Sequence, residues 1–333
     1  MWHNIANGSA DIQDGEDMYT IGIDLGGTNV AVGLCDSELN MIKKMSRPTV
    51  KGSADDIVKG MADICKDLLK AAGLTVADIE YVGVTAPGTV TDDGIVEYAP
   101  NIPFTNYDLG KKFKELLPVK KVYSANDANA AALGELVAGA GRGASSLVML
   151  TLGTGVGGGV ILNGKIFSGG INTSGTELGH TVIIRGGRPC GCGRRGCLET
   201  YASATGLKQS TTEKIEECKR TGRASLMLSA TRINGRTAFD AAKQGDAAAL
   251  EVVEEFIDYL AIGATNMVNI FQPEILLIGG GISGEGEYLI APLREKIDRE
   301  QYTHRNEVRT KVMRATLGND AGIIGAAALG RRL

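Results

Sequence analysis

One short plan occurs twice in this sequence and constrains the fold more than any other feature. Tyr19–Asp24 alternates into an apolar strand, Gly26-Gly27-Thr28 breaks it, and Val30–Leu34 resumes it. About 127 positions later, Leu147–Leu152 runs into Gly153-Thr154-Gly155, and Val160–Leu162 follows. Short apolar runs bounded by glycine read as strand, turn, strand. Recurrence at a long fixed spacing reads as a duplicated unit, one per lobe. Between the two units the pattern alternates. Ser53–Ala72 is amphipathic and opens with Ser53-x-x-Asp56, a helix-capping signal, and Ile79–Val84 is an apolar strand. Lys121–Ser124 is a short strand that runs into the alanine-rich helix Ala128–Ala138, which puts Asp127 at a strand-to-helix junction. Ala247–Phe271 reads as a long helix, Glu274–Ile278 as a buried strand and Gly279-Gly280-Gly281 as a further glycine turn. The alternation predicts an α/β fold in two lobes.

At 333 residues the chain is long enough for two cores. Its 43% hydrophobic and 22% charged residues exclude a largely disordered chain. A net charge of −4 gives no general pull toward nucleic acid or anionic lipid, so small molecules are the expected partners. The uncharged run Gly143–Gly164 contains seven glycines and is a poor membrane helix. Met1–Asp17 is polar and acidic, without the pattern of a signal peptide, and reads as a flexible lead. A cytoplasmic location is therefore expected, where clustered thiols bind metal more often than they pair.

Glycine stands out, with 46 residues, about twice its average share. Three of the glycine turns follow strands, where backbone N–H groups can face phosphate without a basic side chain. Gly153, Gly155 and Gly158 satisfy G-x-G-x-x-G, as do Gly279, Gly281 and Gly284. The first lacks the helix that a dinucleotide fingerprint requires, because Val160–Leu162 continues as strand and Asn163-Gly164 reads as a hairpin turn. Gly159-x4-Gly164-Lys165 falls short of a P-loop because Ile166 stands where a magnesium-binding hydroxyl is needed. A metal signature is stronger. Glu177-Leu178-Gly179-His180 precedes Cys190-Gly191-Cys192-Gly193-Arg194-Arg195-Gly196-Cys197, and His180 with Cys190, Cys192 and Cys197 completes a tetrahedral zinc set of the closed, structural kind. Cys35, Cys65 and Cys218 lie in strand or helix patterns and read as packing residues, and His3 and His304 have no metal-binding neighbours.

The run Glu177–Glu199 resembles the signature of the ROK family of sugar kinases and related repressors. Asp24-Leu25-Gly26-Gly27-Thr28 resembles that family's first phosphate motif. Ala86-Pro87-Gly88 and Pro100-Asn101-Ile102-Pro103 resemble its sugar-contact segments, and Asn126-Asp127-Ala128-Asn129-Ala130 its catalytic segment. With Leu317-Gly318-Asn319-Asp320 the resemblance covers Met18–Leu333. It implies the two-lobed actin-like, hexokinase-like ATPase fold, built from duplicated ribonuclease H-like units. A small lobe would take residues 18–125 together with a C-terminal helix at about 318–333, and a large lobe residues 126–317. Repressors of the family carry a helix-turn-helix before the first phosphate motif, whereas residues 1–17 have no such pattern. Asn101-Ile102-Pro103-Phe104 and Cys197-Leu198-Glu199-Thr200-Tyr201-Ala202-Ser203 are most similar to bacterial glucokinases.

The activity so implied is ATP-dependent phosphorylation of glucose at the 6-hydroxyl; the alternatives are a kinase for N-acetylglucosamine, N-acetylmannosamine or fructose and, from another class, a non-catalytic sugar sensor. By the resemblance Asp127 is the base, and Gly88, Asn101, Asn126, Asp127, Glu177, His180 and Glu199 surround the sugar. Asp24, Gly26, Gly27, Thr28, Gly153, Thr154, Gly155, Gly279, Gly280 and Gly281 would serve ATP and its Mg2+. His180 would touch the sugar as well as a structural zinc. ATP is the implied donor, with polyphosphate used by some similar kinases, and a homodimer or higher homo-oligomer is implied.

Overall fold

The computed structural model describes residues 18–91, 93–99, 102–171, 173 and 175–331. Among them, two five-stranded sheets share one plan. The first contains β1 (Tyr19–Leu25), β2 (Asn29–Cys35), β3 (Met41–Pro48) and β4 (Ile79–Ala86). A small antiparallel sheet of β5 (Thr89–Val90), β6 (Ile95–Tyr98) and β7 (Thr105–Asp108) follows, and β8 (Val122–Asn126) then completes the first sheet in the order β3-β2-β1-β4-β8. The second contains β9 (Leu147–Leu152), β10 (Val156–Leu162), β11 (Lys165–Ile166), β12 (Ile275–Gly279) and β13 (Lys311–Arg314), in the order β11-β10-β9-β12-β13. In each sheet three antiparallel strands come first and two strands parallel to the first are added on its other side. The duplication expected from the glycine turns is thus present strand for strand.

Helix α1 (Ala54–Ala72) has the capping box expected of it: the Ser53 hydroxyl accepts from the Asp56 amide while Asp56 accepts from the Ser53 amide. Its buried Ile57, Met61, Ile64, Cys65 and Leu68 recur at helical spacing and face the first sheet's core. α2 (Leu109–Leu116) and α3 (Asp127–Ala138) flank β8. The second core gathers α4 (Glu199–Ala202), α5 (Ala204–Thr221), α6 (Thr237–Ala242), α7 (Ala247–Phe271) and α8 (Glu287–Glu300) around β9 and β12. No helix among the described residues is long and apolar enough to cross a membrane. Cys35, Cys65 and Cys218 are buried, as packing residues should be, and burial pushes the Cys35 thiol up to about 12.

The last helix, α9 (Ala321–Ala328), packs on β1, β4 and α3. Gly33, Gly22 and Gly83 stand side by side across β2, β1 and β4 and leave the sheet bare there. A Cβ on Gly22 would lie 2.0 Å from the Ile323 carbonyl oxygen, and one on Gly83 1.8 Å from that of Ala326. The same economy joins the two helices, where a Cβ on Gly325 would lie 1.7 Å from the Ala130 oxygen. Glu135, fully buried on α3, fastens the segment leading into α9 by accepting from the Leu317 amide at 2.7 Å.

Strand β10 begins at Val156, four residues before the expected Val160. Gly157, Gly158 and Gly159 give no apolar signal, yet they are strand because neighbours fill the space of their missing side chains. A Cβ on Gly158 would meet Leu178 at 2.5 Å and one on Gly159 the Ala128 oxygen at 2.6 Å. The predicted hairpin is present: Asn163 (φ 52°) and Gly164 (φ 72°) form the two-residue turn between β10 and β11.

Candidate active site

The carboxyl ends of β1, β4 and β8 bring together Asp24, Thr85 and Asn126, since Asp24 pairs with Thr85 and Ala86 with Asn126 in parallel register. The open ends of parallel strands are where α/β folds place ligands. Asp24 is half-buried, and burial raises its carboxyl above the usual range, opposed by the Thr85 hydroxyl and the Lys44 charge. The Thr85 hydroxyl, itself buried, donates to Asp24 Oδ1 at 2.8 Å. Gly26 closes the adjoining turn, its amide donating to the Asn29 oxygen at 2.9 Å, and Gly27 and Thr28 are exposed beyond it.

At the junction into α3 the two neighbours Asn126 and Asp127 divide the work. Asn126 is the N-cap: Oδ1 accepts from the Ala128 and Asn129 amides at 2.9 and 3.2 Å. Its Nδ2 donates to the Gly88 oxygen at 3.0 Å. Asp127 Oδ1 accepts from the Ala128 amide at 2.8 Å, and the residue is exposed to solvent. Desolvation by the surrounding protein raises the Asp127 carboxyl above the ordinary aspartate range, and the Asp24 and Glu177 charges add to the rise. A carboxylate with increased proton affinity at a strand end has the properties of a general base.

Gly88, Asn126, Asn129, Gly158, Thr176 and Glu177 line a polar cleft beside Asp127. Gly88 has φ 90°, and a Cβ there would lie 2.0 Å from the Tyr98 oxygen, so backbone geometry already demands glycine. Glu177 is exposed and lines the same cleft. Asn101 lies outside the described residues. Asn129 is a cleft residue that the sequence reading did not assign. It is buried at 4% exposure and its Oδ1 lies 3.4 Å from the Thr176 hydroxyl. Its place three positions after Asn126, on the same helical face, was the available signal.

On the second sheet, Gly153-Thr154-Gly155 closes on itself, the Gly153 amide donating to the Gly155 oxygen at 3.0 Å. A Cβ on Gly153 or Gly281 would meet nothing within 4 Å, so these backbones present open faces. Gly279 and Gly280 are packed instead: their Cβ atoms would come within 2.5 Å of Met149 Cε and of the Leu152 oxygen, respectively. The glycine turn after β12 thereby sits on the end of β9, beside Gly153. Glu199 Oε2 accepts from the Val156 amide at 3.0 Å, while the Cys190 thiol lies 3.8 Å from Oε1.

The ligand atoms of His180, Cys190, Cys192 and Cys197 all lie within 4.8 Å of one another. Cys192 Sγ and Cys197 Sγ are 3.8 Å apart, and Cys190 Sγ is 3.5 Å from His180 Nδ1. The edge of a tetrahedron with bonds of about 2.3 Å is about 3.8 Å, whereas a disulfide would need about 2.05 Å. These four residues therefore fit a tetrahedral zinc. Burial pushes the Cys197 thiol up to about 12, while the Arg194 amide holds the Cys192 thiol low.

The sequence pattern of the ROK family matches residues 20–332. The chain belongs to the ROK family. Its paired sheets are the two halves of the actin-like, hexokinase-like ATPase fold. This ROK protein is 41% identical over 318 residues to a glucokinase of Thermotoga maritima, covering 93% of this chain and 96% of the relative. A ROK glucokinase from Streptomyces griseus, solved with glucose and AMPPNP, superposes with a TM-score of 0.75 at 33% identity, covering 93% of this chain and 98% of that one. A ROK transcriptional regulator homologous to the E. coli MLC protein superposes with a TM-score of 0.81 at 25% identity, covering 94% of this chain and 78% of the regulator.

Proposed function

We propose that this ROK protein is an ATP-dependent glucokinase that transfers the γ-phosphoryl group of ATP to the 6-hydroxyl of glucose. The observation that carries the reading is Asp127, which is exposed at the start of α3, next to the cleft residue Asn126, while Asn126 takes over the capping of the helix. An ordinary cap would have used Asp127 for that purpose. Phosphoryl transfer needs an aligned acceptor, neutralised charge and a base for the attacking hydroxyl, and little covalent chemistry from the protein. Asp127 takes the proton of the 6-hydroxyl. Glu177, Asn101 and Asn126 surround the sugar hydroxyls, each of which both donates and accepts, so that carboxylate and amide groups can discriminate stereochemistry. Gly88 keeps the wall low, and Glu199 supports the sugar side from the far end of the cluster.

Asp24 holds the hydrated Mg2+ of MgATP, which neutralises phosphate charge when bound. Gly26, Gly27 and Thr28 face the phosphates from one lobe and Gly153, Thr154 and Gly155 from the other, with Gly279, Gly280 and Gly281 beside the nucleoside. The open face of Gly153 supports this assignment, because nothing in the protein's own packing excludes a side chain there. His180 would hold zinc through Nδ1, the nitrogen 3.5 Å from Cys190 Sγ, which would leave Nε2 for the sugar. Zinc holds the loop and does not polarise the substrate. The small lobe is residues 18–125 joined by the C-terminal helix, expected at about 318–333 and spanning Ala321–Ala328 among the described residues, the large lobe is residues 126–317, and sugar binding closes them on each other.

A regulator of the same fold would need only the sugar side, but here both phosphate turns and the base accompany it. A coupled ADP-release assay across glucose, N-acetylglucosamine, N-acetylmannosamine, fructose and mannose, run beside Asp127→Asn, tests the reading. Turnover on glucose that is lost in the variant supports it. Preference for another sugar overturns the substrate, and no turnover with ATP on any of them overturns the kinase reading in favour of the sensor; polyphosphate as donor is checked in the same assay format by following sugar phosphate.

A further inference from the structure

We propose that the segment Cys197–Thr205 is a strap through which the Cys/His cluster positions the Gly153–Gly155 turn, with Thr205 a positioning residue for the donor's phosphates. The functional half of this inference rests on the kinase reading, whereas the contacts stand without it. The strap starts at the last cysteine of the cluster and touches every residue of the turn. The Ala204 amide donates to the Gly153 oxygen at 2.8 Å, and the Thr205 hydroxyl donates to the Thr154 oxygen at 2.7 Å. A Cβ on Gly155 would lie 2.1 Å from Glu199 Oε2, the atom that accepts from the Val156 amide just beyond the turn. The strap is in turn clamped from the cluster's own loop. The Arg188 guanidinium donates to the Thr200 oxygen at 3.2 Å and to Ser210 Oγ at 3.0 Å, and it stacks 4.9 Å from the centre of the Tyr201 ring.

A turn that must present its amides to phosphate gains from being fixed beforehand, because ordering it at binding would cost conformational entropy. Here the fixing groups are carbonyl acceptors on the turn and donors on the strap, which leaves the amides of Thr154 and Gly155 for a ligand. Thr205 is exposed and packs little, so its hydroxyl can be removed with small effect on the core.

Hydrogen exchange and steady-state kinetics on the zinc-loaded protein test the proposal with Thr205→Val and Thr205→Ser. The valine variant should exchange faster in the peptide around residues 150–157 and raise the KM for ATP about fivefold, the effect of one neutral hydrogen bond. Its kcat and its KM for glucose should stay within about twofold, and serine, which keeps the hydroxyl, should restore both readouts. Chelation of the metal should speed exchange in the same peptide without affecting the one around Gly26–Thr28. Unchanged exchange in the valine variant, failure of serine to restore it, or equal rises in the two KM values would overturn the strap. If no sugar is phosphorylated at all, the kinase reading fails, and exchange together with AMPPNP titration then decides the strap by itself.

Discussion

The two glycine turns are counterparts in duplicated sheets, yet they are held in different ways. Gly26-Gly27-Thr28 is secured by its own sheet: the residue just past β3, Thr49, donates its hydroxyl to the Gly26 oxygen at 2.6 Å and its amide to the Thr28 oxygen at 2.8 Å. Gly153-Thr154-Gly155 depends on Glu199, Ala204 and Thr205, about fifty positions away in the segment that follows Cys197. The first turn is held within its own sheet, and the second by the segment that follows the Cys/His cluster. Duplication therefore conserved the strand plan while the means of fixing the turn diverged.

The largest expected effect concerns Asp127, where the two halves meet. Asp127→Asn should lower kcat by about 10²- to 10⁴-fold, the usual contribution of a positioned base. The same variant should be more stable than the parent at neutral pH. Because the folded-state pKa is raised, the contribution of Asp127 to stability is full below its ordinary pKa and is lost as pH rises through the raised value. Thermal melts of the two proteins at neutral pH would refute this if the parent melted higher. In the parent, the acidic limb of the kcat/KM profile should lie above the ordinary aspartate value, and a limb at or below it would deny Asp127 the role of base.

Metal removal comes next. Chelation should lower the melting temperature and weaken binding of both glucose and nucleotide, since the cluster holds both Glu177's neighbour His180 and the strap. Calorimetric titration of the stripped protein with AMPPNP reads the second effect, and unaltered nucleotide affinity would break the contrast between the turns. The smallest effect is expected at the first turn. Thr49→Val should raise the KM for ATP several-fold, as loss of one hydrogen bond does, and by the same factor with and without zinc. A metal-dependent factor there would mean that the first turn is not autonomous.

Much of this protein was legible in local sequence because the physics there is local. The strand-turn-strand repeat, the Ser53–Asp56 capping box, the Asn163-Gly164 hairpin and the four-residue metal set each depend on residues near one another in the chain. The resemblance carried by the motifs supplied the fold and the placing of Asp127. Other features needed residues far apart to meet. Gly157–Gly159 gave no strand signal, since what makes them strand is the proximity of α3 and Leu178. The glycine row on β2, β1 and β4 has meaning only when α9, some 240 to 300 positions later, lies on it. Asp127 lies at a strand-to-helix junction in the sequence, but the folded backbone gives the cap to its neighbour Asn126 and leaves Asp127 exposed at the start of α3. Asn129, Glu135 and Thr205 look like ordinary helix residues until their partners arrive from other elements. The sequence by itself determined the units, their order and the chemistry they carry; tertiary structure decided which backbone is bare, which carboxylate is left exposed and which turn is tied to the segment after the Cys/His cluster, because each of these is a contact between residues that only folding brings within hydrogen-bonding or van der Waals distance.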